Sequence, residues 1–250
     1  LTIFWGCGTN LHRSPYNARN HEYYSEDAVL TSGQAVAFIS GGKEYGVIIA
    51  PKHLAFNDTE INRTGVSVFM TEQQARENEL RGTQAAIEDA GALGVMTAFN
   101  RVGITAANAH TGLLKNILRG EWGFKGLESQ DFIMNPNYAV LKEYALNGGT
   151  MTTFTGENTM AAVSEKFAYW TTENVGQDTE LMSAIKQAMT WQAYALANSN
   201  ALDGMASSTR LVSVRTWYDN ALVAVQVVFA ALTVLAAAMY VLNDRKSKKQ

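Results

Sequence analysis

Short apolar runs recur at Leu1–Trp5, Gly46–Ala50, Gly94–Phe99, Gly126–Gln130 and Thr150–Phe154, each separated from the next by a stretch long enough to hold a helix. This alternation constrains the fold more than any other feature, because repeated strand–helix units share one sheet and build it parallel. Thr71 with Gln74 three residues later makes a capping-box signal, and Gly91 offers a left-handed stop some twenty residues on. From Asp178 to Ala201, the residues Met182, Ile185, Met189, Ala193, Leu196 and Ala197 repeat at helical spacing and predict a final amphipathic helix. No glycine-rich phosphate loop joins a strand to a helix. The expected α/β fold is therefore a partial (β/α)8 TIM barrel, about the last five βα units, rather than a dinucleotide-binding sheet. In such a barrel functional groups stand where strands end.

The other end of the chain obeys a different rule. Residues Ala221–Leu242 form a run of 22 interrupted only by Gln226 and Thr233. At ~1.5 Å per residue this run covers the roughly 30 Å of a bilayer core. Trp217 and Tyr218 stand at one border and Tyr240 at the other, where amphipathic rings favour the membrane interface. Arg245, Lys246, Lys248 and Lys249 follow as a basic stop. The organisation expected is thus residues 1–205 as part of a barrel, 206–220 as a linker, 221–242 as one transmembrane helix contacting lipid, and 243–250 as a tail. The positive charge keeps that tail cytoplasmic and puts residues 1–205 outside the membrane. A buried core helix is the alternative, and uninterrupted apolar runs of this length are rare in soluble domains.

Composition removes other classes. With 250 residues, 47% hydrophobic, the chain can bury a core and is not intrinsically disordered. The basic tail hides an acidic balance: residues 1–220 hold 16 basic against 22 acidic groups, so no nucleic-acid face is expected. One cysteine, Cys7, forms no internal disulfide, and its Trp-Gly-Cys-Gly setting suits a buried small residue. The four histidines show no ligand spacing, so neither metal nor cofactor is expected. The chain opens inside a strand at Leu1, with no Met start or signal peptide, so a continuation upstream is expected.

The segments after the strands are polar, aromatic and crowded with charge. The first runs from Trp5 through Arg19 and Glu22 to Asp27, and the second from Lys52 and His53 through Asn57, Asp58 and Glu60 to Arg63. The third holds Phe99, Asn100 and Arg101, and the fourth Asp131 and Phe132. Cationic and imidazole donors beside several carboxylates suit a ligand rich in hydroxyls, and rings such as Phe99 and Phe132 suit the apolar face of a sugar. Asn57-Asp-Thr59 and Asn62-Arg-Thr64 fit glycosylation sequons, but a glycan there would block the site, so both read as coincidence.

In order, Asn10-Leu-His-Arg-Ser-Pro-Tyr-Asn-Ala-Arg-Asn-His-Glu-Tyr-Tyr-Ser-Glu-Asp27, Lys52-His-Leu-Ala-Phe-Asn-Asp-Thr-Glu-Ile-Asn-Arg63, Met96-Thr-Ala-Phe-Asn100 and Glu121-Trp-Gly-Phe-Lys-Gly-Leu-Glu-Ser-Gln-Asp131 resemble glycoside hydrolase family 3. The likeness runs from about Leu1 to Ala201. The ending Ala197-Asn-Ser-Asn-Ala201, followed by a membrane span, is similar to bacterial members with inverted domain order. This resemblance implies a barrel whose first three strands lie upstream of Leu1. It also implies a retaining exo-acting β-glycosidase whose substrate is an oligosaccharide or other β-glycoside and whose nucleophile is Asp131. Arg19, Lys52 and His53 become sugar-hydroxyl ligands, Phe99 and Phe132 line the sugar, and Glu60 and Arg63 support them. Neighbouring cations would keep Asp131 deprotonated. The acid/base remains unassigned, since the family usually delivers a glutamate from a separate, here upstream, domain. Read alone, Asp131 could instead be a helix N-cap.

Three departures from the family pattern bear on function. Phe99 replaces a tyrosine, Glu128-Ser-Gln130 replaces a more apolar strand, and Gly148-Gly-Thr150 stands where an aspartate commonly follows. A buried Glu128 would need a partner or a raised pKa. Lys52-His-Leu-Ala-Phe-Asn also departs from the N-acetylglucosaminidase pattern, favouring β-glucosidase-like members. The alternative from another class is a noncatalytic membrane-anchored carbohydrate-binding protein on the same fold.

Overall fold

A computed structural model describes residues 1–63, 65–132, 140–153, 168, 170–205, 209–210, 212 and 214–247. The chain divides into two compact units, Leu1–Asp203 and Gly204–Gln250. In the first, four strands form one parallel sheet in sequence order: β1 (Ile3–Gly8), β2 (Ile48–Leu54), β4 (Gly94–Thr97) and β7 (Leu127–Gln130). Between β1 and β2 runs α1 (Ala28–Lys43), started by Asp27, whose carboxylate accepts from the Val29 and Leu30 amides. Its buried residues Ala28, Thr31, Ser32, Ala35 and Ile39 follow helical spacing. A small second sheet joins β3 (Ser67–Val68), β5 (Arg101–Val102) and β6 (Thr105–Ala106).

Four of the five expected strands therefore exist, shifted by a few residues at their ends. The fifth, Thr150–Phe154, is reduced to a parallel bridge between Met151 and Ser129, and Phe154 lies outside the described residues. Thr71 caps α2 (Glu72–Gln74) by accepting from the Gln74 amide, and Gly91 takes φ +64°. Between them the helix is interrupted by a π turn, Ala75–Glu79, before α3 (Arg81–Glu88). Glu79 is buried there, where burial raises its carboxyl to about 7. A π-wound segment, Gly112–Glu121, precedes β7, and α4 (Leu141–Leu146), α5 (Thr172–Gln177) and α6 (Thr179–Ala197) follow it.

On α6 the expected stripe is buried only in part: Met182, Ile185 and Leu196 are half-buried, but Ala197 is exposed. Leu181 and Ala195 are the buried positions, whereas Met189 is 63% exposed and Ala193 is exposed. Ala184, Ala188, Trp191 and Gln192 are half-buried as well, and Gln192 donates to the Thr150 carbonyl.

One face of the sheet carries Ile49 and Val95 into the main core with Ala35 and Ile39 of α1 and Ala86 and Ile87 of α3. Glu128 pairs with Val95 in register and so shares that face, fully buried. Neither of its oxygens accepts a hydrogen bond among the described residues. Burial raises its pKa to about 7, against the opposing influence of Tyr144 and the Arg119 charge. Between pH 4.5 and 7 the native state holds a proton that an unfolded glutamate releases, so stability contributed by this group is lost as pH rises through that window. His53, depressed below 6.5, works the other way below that pH. The difference between two proteins isolates Glu128: Glu128→Gln gains melting temperature relative to the parent as pH goes from 5 to 8. Parallel melting curves across that range would contradict this.

In the second unit, α7 (Trp217–Ser247) begins at a reciprocal cap, with Asp219 accepting from the Thr216 amide and the Asp219 amide donating to the Thr216 hydroxyl. Trp217–Leu242 is long and apolar enough to cross a membrane. The Thr233 hydroxyl donates to the Phe229 carbonyl at 2.8 Å, which satisfies it within the helix.

Candidate functional site

The carboxyl ends of the sheet strands are tied laterally. The Thr9 amide donates to the Lys52 carbonyl at 2.7 Å, Ala98 to Leu54 at 2.7 Å, and Asp131 to Thr97 at 3.1 Å. Asn10 clamps the next strand end from the side: its Nδ2 donates to the His53 carbonyl at 3.0 Å, and its Oδ1 accepts from the His53 amide at 2.8 Å. These bonds fix the stretch that carries His53 and, beside it, the residue after β7 that carries Asp131.

Around Asp131 the chain assembles most of what the sequence singles out. His53 Nε2 lies 3.4 Å from Asp131 Oδ2, and both residues are buried. Arg19 makes two hydrogen bonds to Glu22 and a 3.0 Å ion pair with Glu60, which also takes Arg63 at 3.0 Å. Lys52 reaches Glu22 at 2.8 Å. Arg63 stacks 4.4 Å over the ring of half-buried Phe99, so the phenylalanine in the tyrosine's place keeps a cation against its face. Phe132 contributes its backbone amide, which donates to Asp131 Oδ1 at 2.8 Å, while its side chain is 44% exposed.

The electrostatics at Asp131 pull in two directions. Burial raises the Asp131 carboxyl above its ordinary range, and the Phe132 amide with the charges of Arg63, Arg19 and Lys52 offsets only part of that. Burial is the largest influence, and the cations oppose it without overcoming it. Arg19, Lys52 and Arg63 face Glu22, Glu60 and Asp131, so the cluster is neutral when every carboxyl is ionised. Glu22 feels burial too, yet the hydrogen bond from Lys52 and the charge of Arg19 hold it below the usual range. His53 is driven well below its ordinary value by burial, then by Arg19, Lys52 and Arg63, and is neutral.

Sequence reading missed Glu22, Tyr23 and Asn10. Glu22 carried a signal, since it follows Arg19 by three residues, a spacing suited to local ion pairing. Tyr23 and Asn10 carried none, because their partners His53 and Asn57 are 30 or more positions away. Arg13 pairs with Asp58, and buried Glu79 lies 3.4 Å from the same guanidinium. Asn57 is 1% exposed, which closes the first sequon in the folded protein. Cys7 is buried with its thiol pushed up to about 11, an inert setting. No group of three or more His, Cys, Asp or Glu among the described residues could hold a metal ion.

Comparison with known proteins bears on the site. The chain is 38% identical over 130 residues to probable β-glucosidase J of Emericella nidulans and 40% identical over 123 residues to a β-glucosidase of Rhizobium radiobacter. These matches cover 52% and 49% of this chain but 15% of each relative, so the chain spans a small part of their length. Among solved structures, β-glucosidase 3B of Thermotoga neapolitana in complex with α-D-glucose superposes with TM-score 0.70 at 26% identity, over 80% of this chain and 28% of that one. A β-glucosidase from Paenibacillus barengoltzii superposes with TM-score 0.72 at 27% identity, over 85% and 24%. The model of the glycosyl hydrolase family 3 N-terminal domain matches residues 3–165, a span that takes in β1, β2, β4, β7 and every charged residue gathered around Asp131. The protein with this parallel sheet and this buried aspartate belongs to glycosyl hydrolase family 3.

Proposed function

We propose that this chain carries the nucleophile half of a retaining, exo-acting β-glucosidase-like enzyme, anchored in the cell membrane and forming part of a longer polypeptide. The observation that carries the reading is Asp131, held by the Thr97 carbonyl and the Phe132 amide at the end of β7, beside neutral His53 and within a ring of three cations. In this reading Asp131 attacks the anomeric carbon of a terminal sugar and forms a glycosyl-enzyme, which water then releases. Arg19, Lys52 and His53 bind sugar hydroxyls. Glu60 and Arg63 hold Arg19 and Phe99 in place.

The four-stranded sheet is then an arc of a (β/α)8 barrel whose other strands come from upstream, in an inverted domain order. Residues 221–242 span the membrane, with the basic tail cytoplasmic and the site outside. A second carboxyl must protonate the leaving oxygen. Glu22 and Glu60 are engaged by Arg19, Lys52 and Arg63, so the acid/base is assigned to an upstream domain. That same engagement favours, as the second reading, a noncatalytic carbohydrate-binding protein.

The two are separated with the native protein, captured from washed membranes through an antibody to residues 245–250. The enzyme reading expects a polypeptide several-fold larger than 27.3 kDa that releases product from an aryl β-glucoside. Saturable sugar binding without release would establish the noncatalytic one.

A further inference from the structure

The buried contacts of His53 carry more than its place beside Asp131. The imidazole sits between two groups whose hydrogen-bonding sense is fixed. On one side the Tyr23 hydroxyl donates its only proton to the Asn57 carbonyl, and its oxygen lies 3.3 Å from His53 Nδ1. With that proton committed, the phenol can only accept from the ring, so Nδ1 must carry hydrogen. On the other side Arg19 Nη2 lies 3.3 Å from His53 Nε2, and a guanidinium has donors and no acceptor. Nε2 must therefore offer its lone pair. The two constraints come from different segments and agree.

We infer that Tyr23 is a positioning residue that fixes His53 in the Nδ1–H tautomer, so that Nε2 gives no hydrogen bond to Asp131 and presents its one lone pair to a donor, Arg19 Nη2 in this structure and a substrate hydroxyl that displaces Arg19 from it when sugar binds. The hydroxyl half of this inference rests on the glycosidase reading. The tautomer half stands on the contacts alone.

Two consequences follow from the chemistry. Asp131 Oδ2 and His53 Nε2, 3.4 Å apart, meet acceptor to acceptor, so His53 leaves the carboxylate's electrons free for attack. A hydroxyl entering between Nε2 and the cations of Arg19 and Lys52 would be fully satisfied, giving one hydrogen and accepting others. An anion would meet the lone pair unfavourably, because it has no hydrogen to give. The group recognised there is thus an unsubstituted sugar hydroxyl, and methylation of that oxygen should abolish its recognition.

Imidazole nitrogen-15 spectra of the full chain in detergent test the assignment. The chain has four histidines, and His53 is identified by the signal lost in His53→Gln. The parent is expected to show Nδ1 protonated and Nε2 bare at neutral pH; a bare Nδ1 or a doubly protonated ring would overturn the inference with no substitution involved. In Tyr23→Phe the ring loses its Nδ1 acceptor, and Nε2–H gains Asp131 as a partner, so the Nε2–H population should rise. An unchanged spectrum would remove the role from Tyr23. In the complete native polypeptide the same substitution should lower kcat/KM for an aryl β-glucoside about tenfold, through KM more than kcat. Turnover with the wrong parental tautomer would refute this inference alone, whereas the expected tautomer with no turnover would refute the glycosidase reading.

Discussion

Asp131→Asn in the complete native polypeptide should lower kcat for an aryl β-glucoside by about 10⁴-fold or more while leaving the melting temperature within a degree or two of the parent. The amide keeps the size of the carboxyl and can still accept from the Phe132 amide, so the end of β7 stays in place. It cannot form a glycosyl ester. Removing the charge should cost little stability, because burial already disfavours that charge and raises the Asp131 pKa. Turnover rates and thermal melts on the same preparation separate chemistry from folding. A variant with near-parental turnover would end the assignment of Asp131 as nucleophile, and one that is inactive because it unfolds would show the residue to be structural, as an N-cap would be.

Arg119→Met should produce the largest loss of stability, on the order of 3–5 kcal/mol. Arg119 donates to the Gly148 carbonyl from two nitrogens, at 3.2 and 2.7 Å, and to the Phe124 and Gly126 carbonyls at 3.0 and 2.8 Å. Its guanidinium lies 3.8 Å from the Trp191 ring and 4.8 Å from that of Phe124. It thereby joins the π-wound segment, the loop before β7, the turn after α4 and the face of α6. Burial lowers its pKa to about 10, with the nearby Glu128 and Tyr144 opposing that shift. Methionine fills much of the volume but leaves three carbonyls without this donor and Glu128 without its cation. Arg119→Lys, with charge but without the planar fork, should fall between. A thermal melt showing Arg119→Met within 1 kcal/mol of the parent, on the order of experimental scatter, would contradict the role assigned to the stack and the carbonyl bonds.

How much of this was legible follows from the range of each interaction. The strands were readable because an apolar run of four or five residues is a local signal, and four of the five became sheet. Of the fifth, the described residues show only the bridge at Met151, whose backbone bonds to Glu128 and Gln130 the Tyr144 hydroxyl shares. The buried face of α6 was read only in part, at Met182, Ile185 and Leu196, because its apolar residues lie on more than one side and only tertiary contact selects the face. Asp131, His53, Arg19 and Lys52 were legible through motif order, and Glu22 could have been found from its distance to Arg19. Tyr23 and Asn10 could not, since their roles arise from hydrogen bonds across the ends of different strands. The raised Asp131 pKa was also hidden: counting nearby cations suggests depression, but the burial of the site, which depends on tertiary packing, outweighs them.

The most direct measurement is covalent trapping. The native polypeptide is incubated with a 2-deoxy-2-fluoro-β-glucoside bearing a good leaving group, which slows release of a glycosyl-enzyme, and the labelled peptide is then located by mass spectrometry. A single fluoroglucosyl group on Asp131, absent from Asp131→Asn and accompanied by loss of activity, is the expected result. Label on a different carboxylate, or turnover of the ordinary glycoside with inverted anomeric configuration, would contradict a retaining mechanism on Asp131.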